Sequence, residues 1–102
     1  MTWQVASRPE VENDIIEIAA WYDTRGEGLG DRFVEEVLAV LNELTINPLL
    51  NSRRHRQKNI RWRYPKSFPY RVIYEVIESE KTVVIVAVTH AARHDRVWKR
   101  RV

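Results

Sequence analysis

The chain has no cysteine, only three glycines and a single methionine in 102 residues. Without cysteine it forms neither a disulfide framework nor a thiolate metal site. Its three histidines, His55, His90 and His94, show no zinc-ligand spacing. Hydrophobic runs are short. The longest aliphatic stretch, Val83 to Val88, falls far below the roughly 20 residues that span a bilayer. The opening MTWQVASRPE lacks the charged start and apolar segment of a secretory signal. The expectation is a soluble cytoplasmic protein with no cofactor, no metal and no membrane partner. All the glycines lie between Gly26 and Gly30, with no strand before them and no Lys-Ser/Thr after them. They therefore read as a helical-hairpin turn and not as a phosphate loop.

Acidic residues are scarce in the second half and basic ones in the first. Residues 1–52 hold three basic side chains against ten acidic, a net of −7. Residues 53–102 hold fourteen against four, a net of +10, so the overall +3 hides a strong dipole. A negatively charged partner is expected to meet the C-terminal half. The length suits one domain, 1–102, with one core.

Trp3–Ser7 alternates like a short strand. Ser7-Arg8-Pro9-Glu10 has the spacing of a capping box, and Pro9 is tolerated in a first helical turn. Val11, Ile15, Ile18 and Tyr22 follow at helical spacing to about Thr24. A second helix is predicted from about Asp31 to Ile46, with Phe33, Val37 and Leu41 on one stripe and Asn47-Pro48 as the stop. A basic connector, Asn51 to Asn59, carries Arg53, Arg54, His55, Arg56 and Lys58. Three strands are predicted next: Ile60–Tyr64, Tyr70–Ile77 and Thr82–His90, with a turn at Glu78–Lys81 between the last two. The final strand is apolar on both faces and reads as central. The prediction is an α+β sandwich: an N-terminal strand, a two-helix hairpin, then antiparallel strands in one sheet with the helices on one face. Beyond His90 the chain delivers Arg93, Arg96, Trp98, Lys99, Arg100 and Arg101 to one end of that sheet.

The helical stripe Phe33, Val37, Leu41, the run F-P-Y-R-V-I-Y from Phe68 to Tyr74, and the ending with Val88, His90, Arg93 and Trp98 resemble the RelE/ParE superfamily of type II toxin–antitoxin toxins. The resemblance spans Val5 to Arg101. It implies a small toxin, with links to plasmid stabilisation, held by a cognate antitoxin. It also implies one of two targets. RelE-like members cut mRNA on the ribosome, and ParE-like members inhibit DNA gyrase.

RNA cleavage through the 2′-hydroxyl needs a base, an acid and cations for the phosphorane charge. Arg71 and Arg93 match the arginines of the family's penultimate strand and of the segment after its last strand. Arg61 and Arg63 are expected to project onto the same face. His90 is the candidate for proton transfer, with an unperturbed pKa of about 6.5, and an orienting role is its alternative. Tyr64, Tyr70 and Tyr74 are further candidate donors, although Tyr70 and Tyr74 share a face with Val72 and Val76 and read as core. Trp98 stands where RelE-type nucleases place a tyrosine or histidine, and an indole does not exchange a proton at working pH. That exchange favours a ParE-like gyrase inhibitor acting by binding, with Arg61, Arg63, Arg71, Arg93, Trp98, Lys99 and Arg100 as target contacts. For Trp98 the alternative is a fold-back onto the sheet. An endonuclease using Arg71, His90 and Arg93 is the enzymatic alternative, with the ribosome and mRNA as partners. A degenerate member that binds only antitoxin or nucleic acid is the third.

Overall fold

A computed structural model describes residues 2–102. Strand β1 (Gln4–Ser7) leads into helices α1 (Pro9–Asp23) and α2 (Leu29–Leu44). Strands β2 (Ile60–Arg63), β3 (Tyr70–Ile77) and β4 (Thr82–His90) follow, then a short helix α3 (Arg96–Lys99). The sheet has four strands in the order β1-β4-β3-β2. β2, β3 and β4 meander antiparallel, whereas β1 lies parallel to β4, with Gln4 opposite Thr82 and Ser7 opposite Ile85. The apolar β4 is thus internal, as its sequence predicts, and the helical hairpin covers one face. Among the described residues, no helix is long and apolar enough to cross a membrane.

The helix boundaries differ from the sequence prediction at their caps. Ser7 makes no capping box. It is paired in β1, and Arg8 becomes the N-cap with extended backbone and no side-chain bond. Its amide instead donates to Ile85 O at 3.0 Å, so the sheet claims the residues that the box requires. α2 starts earlier than predicted because Gly28, at φ 79°, turns the chain in a conformation that favours glycine. It ends at Leu44, where the Thr45 hydroxyl donates to Asn42 O at 2.6 Å. Gly30 lets the helices meet: a Cβ there would lie 2.5 Å from Ala19 O, and its amide donates to Asp23 Oδ1 at 2.9 Å.

Two apolar clusters result, one on each face. The larger lies under the helices and joins Phe33, Val37, Leu44, Val72, Tyr74, Val83 and Ile85. Tyr22, Phe33, Phe68 and Tyr70 pack mostly edge-to-face in it, an arrangement that suits the ring quadrupoles. The smaller lies on the far face and joins Ile60, Ile73, Val86, Ala87 and Trp98. A register shift makes it possible: Ile73 faces Ala87 while Tyr74 faces Ile85, leaving Val86 extra. The bulge turns both Val86 and Ala87 away from the helices.

Candidate functional site

Register decides which arginines meet. Arg61 stands opposite Tyr74 and Arg63 opposite Val72, on the face toward the helices. Arg71 stands opposite Thr89, on the other face. The expected four-arginine surface is therefore split by the sheet. Arg61 and Arg63 serve the chain itself. Arg63 is 9% exposed; its Nε donates to Asn51 Oδ1 at 2.7 Å, and its Nη2 to Asn47 O at 2.8 Å. Arg61 donates to Asn59 Oδ1 at 2.9 Å, to Leu49 O at 3.1 Å and also to Asn51 O. Together they fasten the segment that leaves α2. The Tyr74 hydroxyl donates to Pro48 O at 3.0 Å within the same clamp. Burial pushes its pKa up, against the opposing pull of Arg63 and Arg61. Tyr74 is core, as its shared face with Val72 predicts.

On the far face, Arg71 is 5% exposed. Its Nη2 contacts Asp95 Oδ1 at 3.0 Å and donates to Arg93 O at 3.2 Å. Its guanidinium lies 4.6 Å from the centre of the Trp62 ring, which Arg54 also approaches at 4.7 Å. Trp98 is 1% exposed, packed on Ile60, Ile73, Val86 and Ala87, with Trp62 edge-on at a ring distance of 6.1 Å. The buried ring matches the fold-back expected as one alternative for Trp98. Burial works against ionisation of Asp95. The nearby Trp98 N–H, which stops short of a full hydrogen bond, outweighs burial together with Arg71 and Lys99, so the Asp95 pKa lies below its ordinary value.

At the end of the sheet, Tyr70, His90, Arg93, Glu17 and Asn13 line a polar groove between α1, β4 and the tail. The His90 ring meets Tyr70 edge-on at 5.1 Å, and its Nδ1 accepts the Ala92 amide at 3.0 Å. Burial raises the Tyr70 pKa, helped by Tyr22. Arg93 is exposed, as are Arg96, Lys99 and Arg100 of the tail and Arg53, Arg54 and Arg56 of the connector. The surface cations of the second half lie mostly on the connector and tail, and Arg71 is buried.

Asp14 and Asp95 are ion-pair partners that the sequence reading passed over, and Arg101, read there as part of the cationic tail, pairs with Asp14. Asp14 sits on the α1 face beside Val11 and Ile18, an acidic residue one position from an apolar stripe, which was its one visible signal. Asp95 shows no local sign, because its partner Arg71 is supplied by a distant strand.

A four-stranded sheet with a helical hairpin on one face and a cationic strap on the other defines a small α+β module. A family model described as "ParE toxin of type II toxin-antitoxin system, parDE" matches residues 5–95. The chain belongs to that family, within the RelE/ParE superfamily of type II toxin–antitoxin toxins. Among curated proteins none matches the sequence significantly. Solved structures share the fold. A double arginine-to-alanine mutant of Escherichia coli RelE in the free state is 15% identical with a TM-score of 0.70, covering 100% of this chain and 99% of RelE. The RelBE2 toxin–antitoxin complex of Mycobacterium tuberculosis is 19% identical with a TM-score of 0.65, covering 88% of this chain and 99% of the other. The intact E. coli RelBE toxin–antitoxin complex is 18% identical with a TM-score of 0.55, covering 89% and 99%.

Proposed function

We propose that this toxin acts by binding DNA gyrase and not by cutting RNA, and that a cognate antitoxin holds it inactive. The observation that carries this reading is a separation of chemistry. Arg71 lies on the far face with Asp95, whose lowered pKa keeps it ionised. His90 packs against Tyr70 toward the helix face. Cleavage needs base, acid and cation converging on one phosphate. Arg71 has no such pair beside it, and Trp98 supplies no proton. The exposed arginines and lysines of connector and tail instead make a broad positive surface for DNA or for an acidic protein face.

The sheet-end groove supports the second reading, a ribosome-dependent endonuclease, because it places His90 and Tyr70 beside the exposed Arg93. Support for an antitoxin partner comes from the similar fold of toxins solved as RelBE complexes. An apolar groove of about 460 Å³ between α1 and α2, lined by Ile15, Ile16, Val34 and Leu38, offers surface for such a partner.

Two assays on purified, antitoxin-free protein test the reading: gyrase supercoiling and ribosome-programmed mRNA cleavage. Blocked supercoiling with intact mRNA is the expected result. Cut mRNA with normal supercoiling would overturn it and assign the chemistry to the His90 groove.

A further inference from the structure

Three buried polar atoms of Arg71, its strand partner Thr89 and the strap have no hydrogen-bond partner among the described residues. They are Arg71 Nε, Thr89 Oγ1 and Trp98 Nε1. All three residues are more than nine-tenths buried. Unsatisfied buried groups are rare in native proteins and destabilising, so packing alone does not account for Arg71 Nε and Thr89 Oγ1 on one strand pair, with Trp98 Nε1 near Asp95. A guanidinium presents adjacent donors that grip two oxygens at once, but Asp95 takes only Nη2 and leaves Nε free. The site is built for more than the carboxylate it holds.

The segment that supplies Asp95 is a strap over that site. Ala91 and Ala92, both exposed, join it to β4. It is held down by Trp98 in the far-face cluster, by Arg101 on Asp14 and by Lys58 Nζ donating to Val102 O at 3.1 Å. The contact that neutralises Arg71 and the contacts that hold the strap therefore involve different residues.

We infer that Asp95 is an internal ligand occupying an anion site built from Arg71 and Thr89, and that residues 94–102 must lift before a phosphate group of the target reaches it. The biological meaning rests on the toxin reading above and on the expectation from the sequence that Arg71 is a target contact, which its shielding here defers until the strap lifts. An anion competes with Asp95 for the guanidinium, and the uncovered Thr89 hydroxyl donates a second hydrogen bond. Trp62 stays against Arg71 and keeps it oriented.

The test titrates the full-length protein with inorganic phosphate while the Nε–H resonance of Arg71 is followed by nitrogen-15 NMR. Asp95→Asn is expected to bind about tenfold more tightly than the wild type, as removal of one charge-assisted competitor implies. The distant exposed Glu80→Gln removes the same charge and is expected to change nothing. Thr89→Val in the Asp95→Asn background is expected to lose several-fold of the gain with the fold intact. Equal affinity for wild type and Asp95→Asn, an equal gain in Glu80→Gln, or full gain in the Thr89→Val double variant would each overturn the inference. Supercoiling and mRNA-cleavage assays on Asp95→Asn keep the two readings apart. Tighter phosphate binding with neither activity altered sustains the internal ligand and removes Arg71 from the toxic surface.

Discussion

Asp14 on α1 and Arg101 near the C-terminus form a two-pronged ion pair, with Arg101 Nη1 at 2.7 Å and Nη2 at 3.0 Å from the carboxylate oxygens. Each also binds the edge of β4. Asp14 Oδ2 accepts the Val88 amide at 3.1 Å, and Arg101 Nη1 donates to Val86 O at 3.0 Å. β1 pairs with β4 only as far as Ile85. Two side chains thus take over where the neighbouring strand stops, and the open edge is covered. The hydrogen bonds to Asp14, with its charge, also hold the Arg101 pKa above its usual value against the effect of burial. Arg101→Ala is expected to cost about 2 kcal/mol. Urea unfolding measures this, and a loss indistinguishable from zero would mean the edge needs no cover.

Trp98→Ala is expected to destabilise by about 3–5 kcal/mol, the usual range for emptying a buried aromatic site. Trp98→Phe keeps most of the apolar contact and should cost far less. If the alanine variant keeps wild-type stability but loses target inhibition, the ring is a contact and not an anchor for the strap.

Arg63→Ala leaves Asn47 O and Asn51 without their guanidinium partner, so a loss of about 1.5–3 kcal/mol is expected. Hydrogen exchange should quicken in the segment 46–51. A stable variant with reduced target binding would instead place Arg63 at the target.

Arg93→Ala and Arg100→Ala remove exposed cations, and each should alter stability by no more than about 0.5 kcal/mol. Supercoiling inhibition by the double variant is expected to fall at least several-fold, with the loss largest at low salt. Undiminished inhibition would move the contact surface to the connector.

Asp95 sets a pH response. A carboxylate whose pKa drops on folding adds stability above its unfolded value of about 3.9 and loses it as pH falls through the lower folded value. The Arg71 contact is therefore expected to persist from neutrality to about pH 4 and weaken below it. The Trp98 indole N–H resonance reports this, and Asp95→Asn should flatten its response. A wild-type transition near neutral pH would assign the strap to a histidine.

The strands β3 and β4 were legible to the residue because alternation and the polar turn at 78–81 mark both ends. The helix caps were not, because whether Ser7 caps α1 depends on its pairing with Ile85, a partner far along the chain. The same limit governs the site. Arg61, Arg63 and Arg71 all look outward on their own strands. A register fixed by Trp62 opposite Ile73 puts the first two on the opposite face from the third. A shift of one residue would reverse that, and no local pattern prints the register. The burial of Trp98 was open for a related reason: its pocket is made by Ile60, Ile73 and the bulge at Val86, and none of them lies near it in sequence.

The parallel pairing of β1 with β4 has a consequence for biosynthesis. The first strand emerges early and finds its neighbour only after nearly all the chain has been made, and long-range pairing of this kind forms late. A ribosome that has delivered the helical hairpin and β2 has released no completed sheet, and neither Arg71 nor Arg93 stands in its final setting. The growing polypeptide therefore lacks the complete sheet by topology, and the folded form exists only once translation has run past β4.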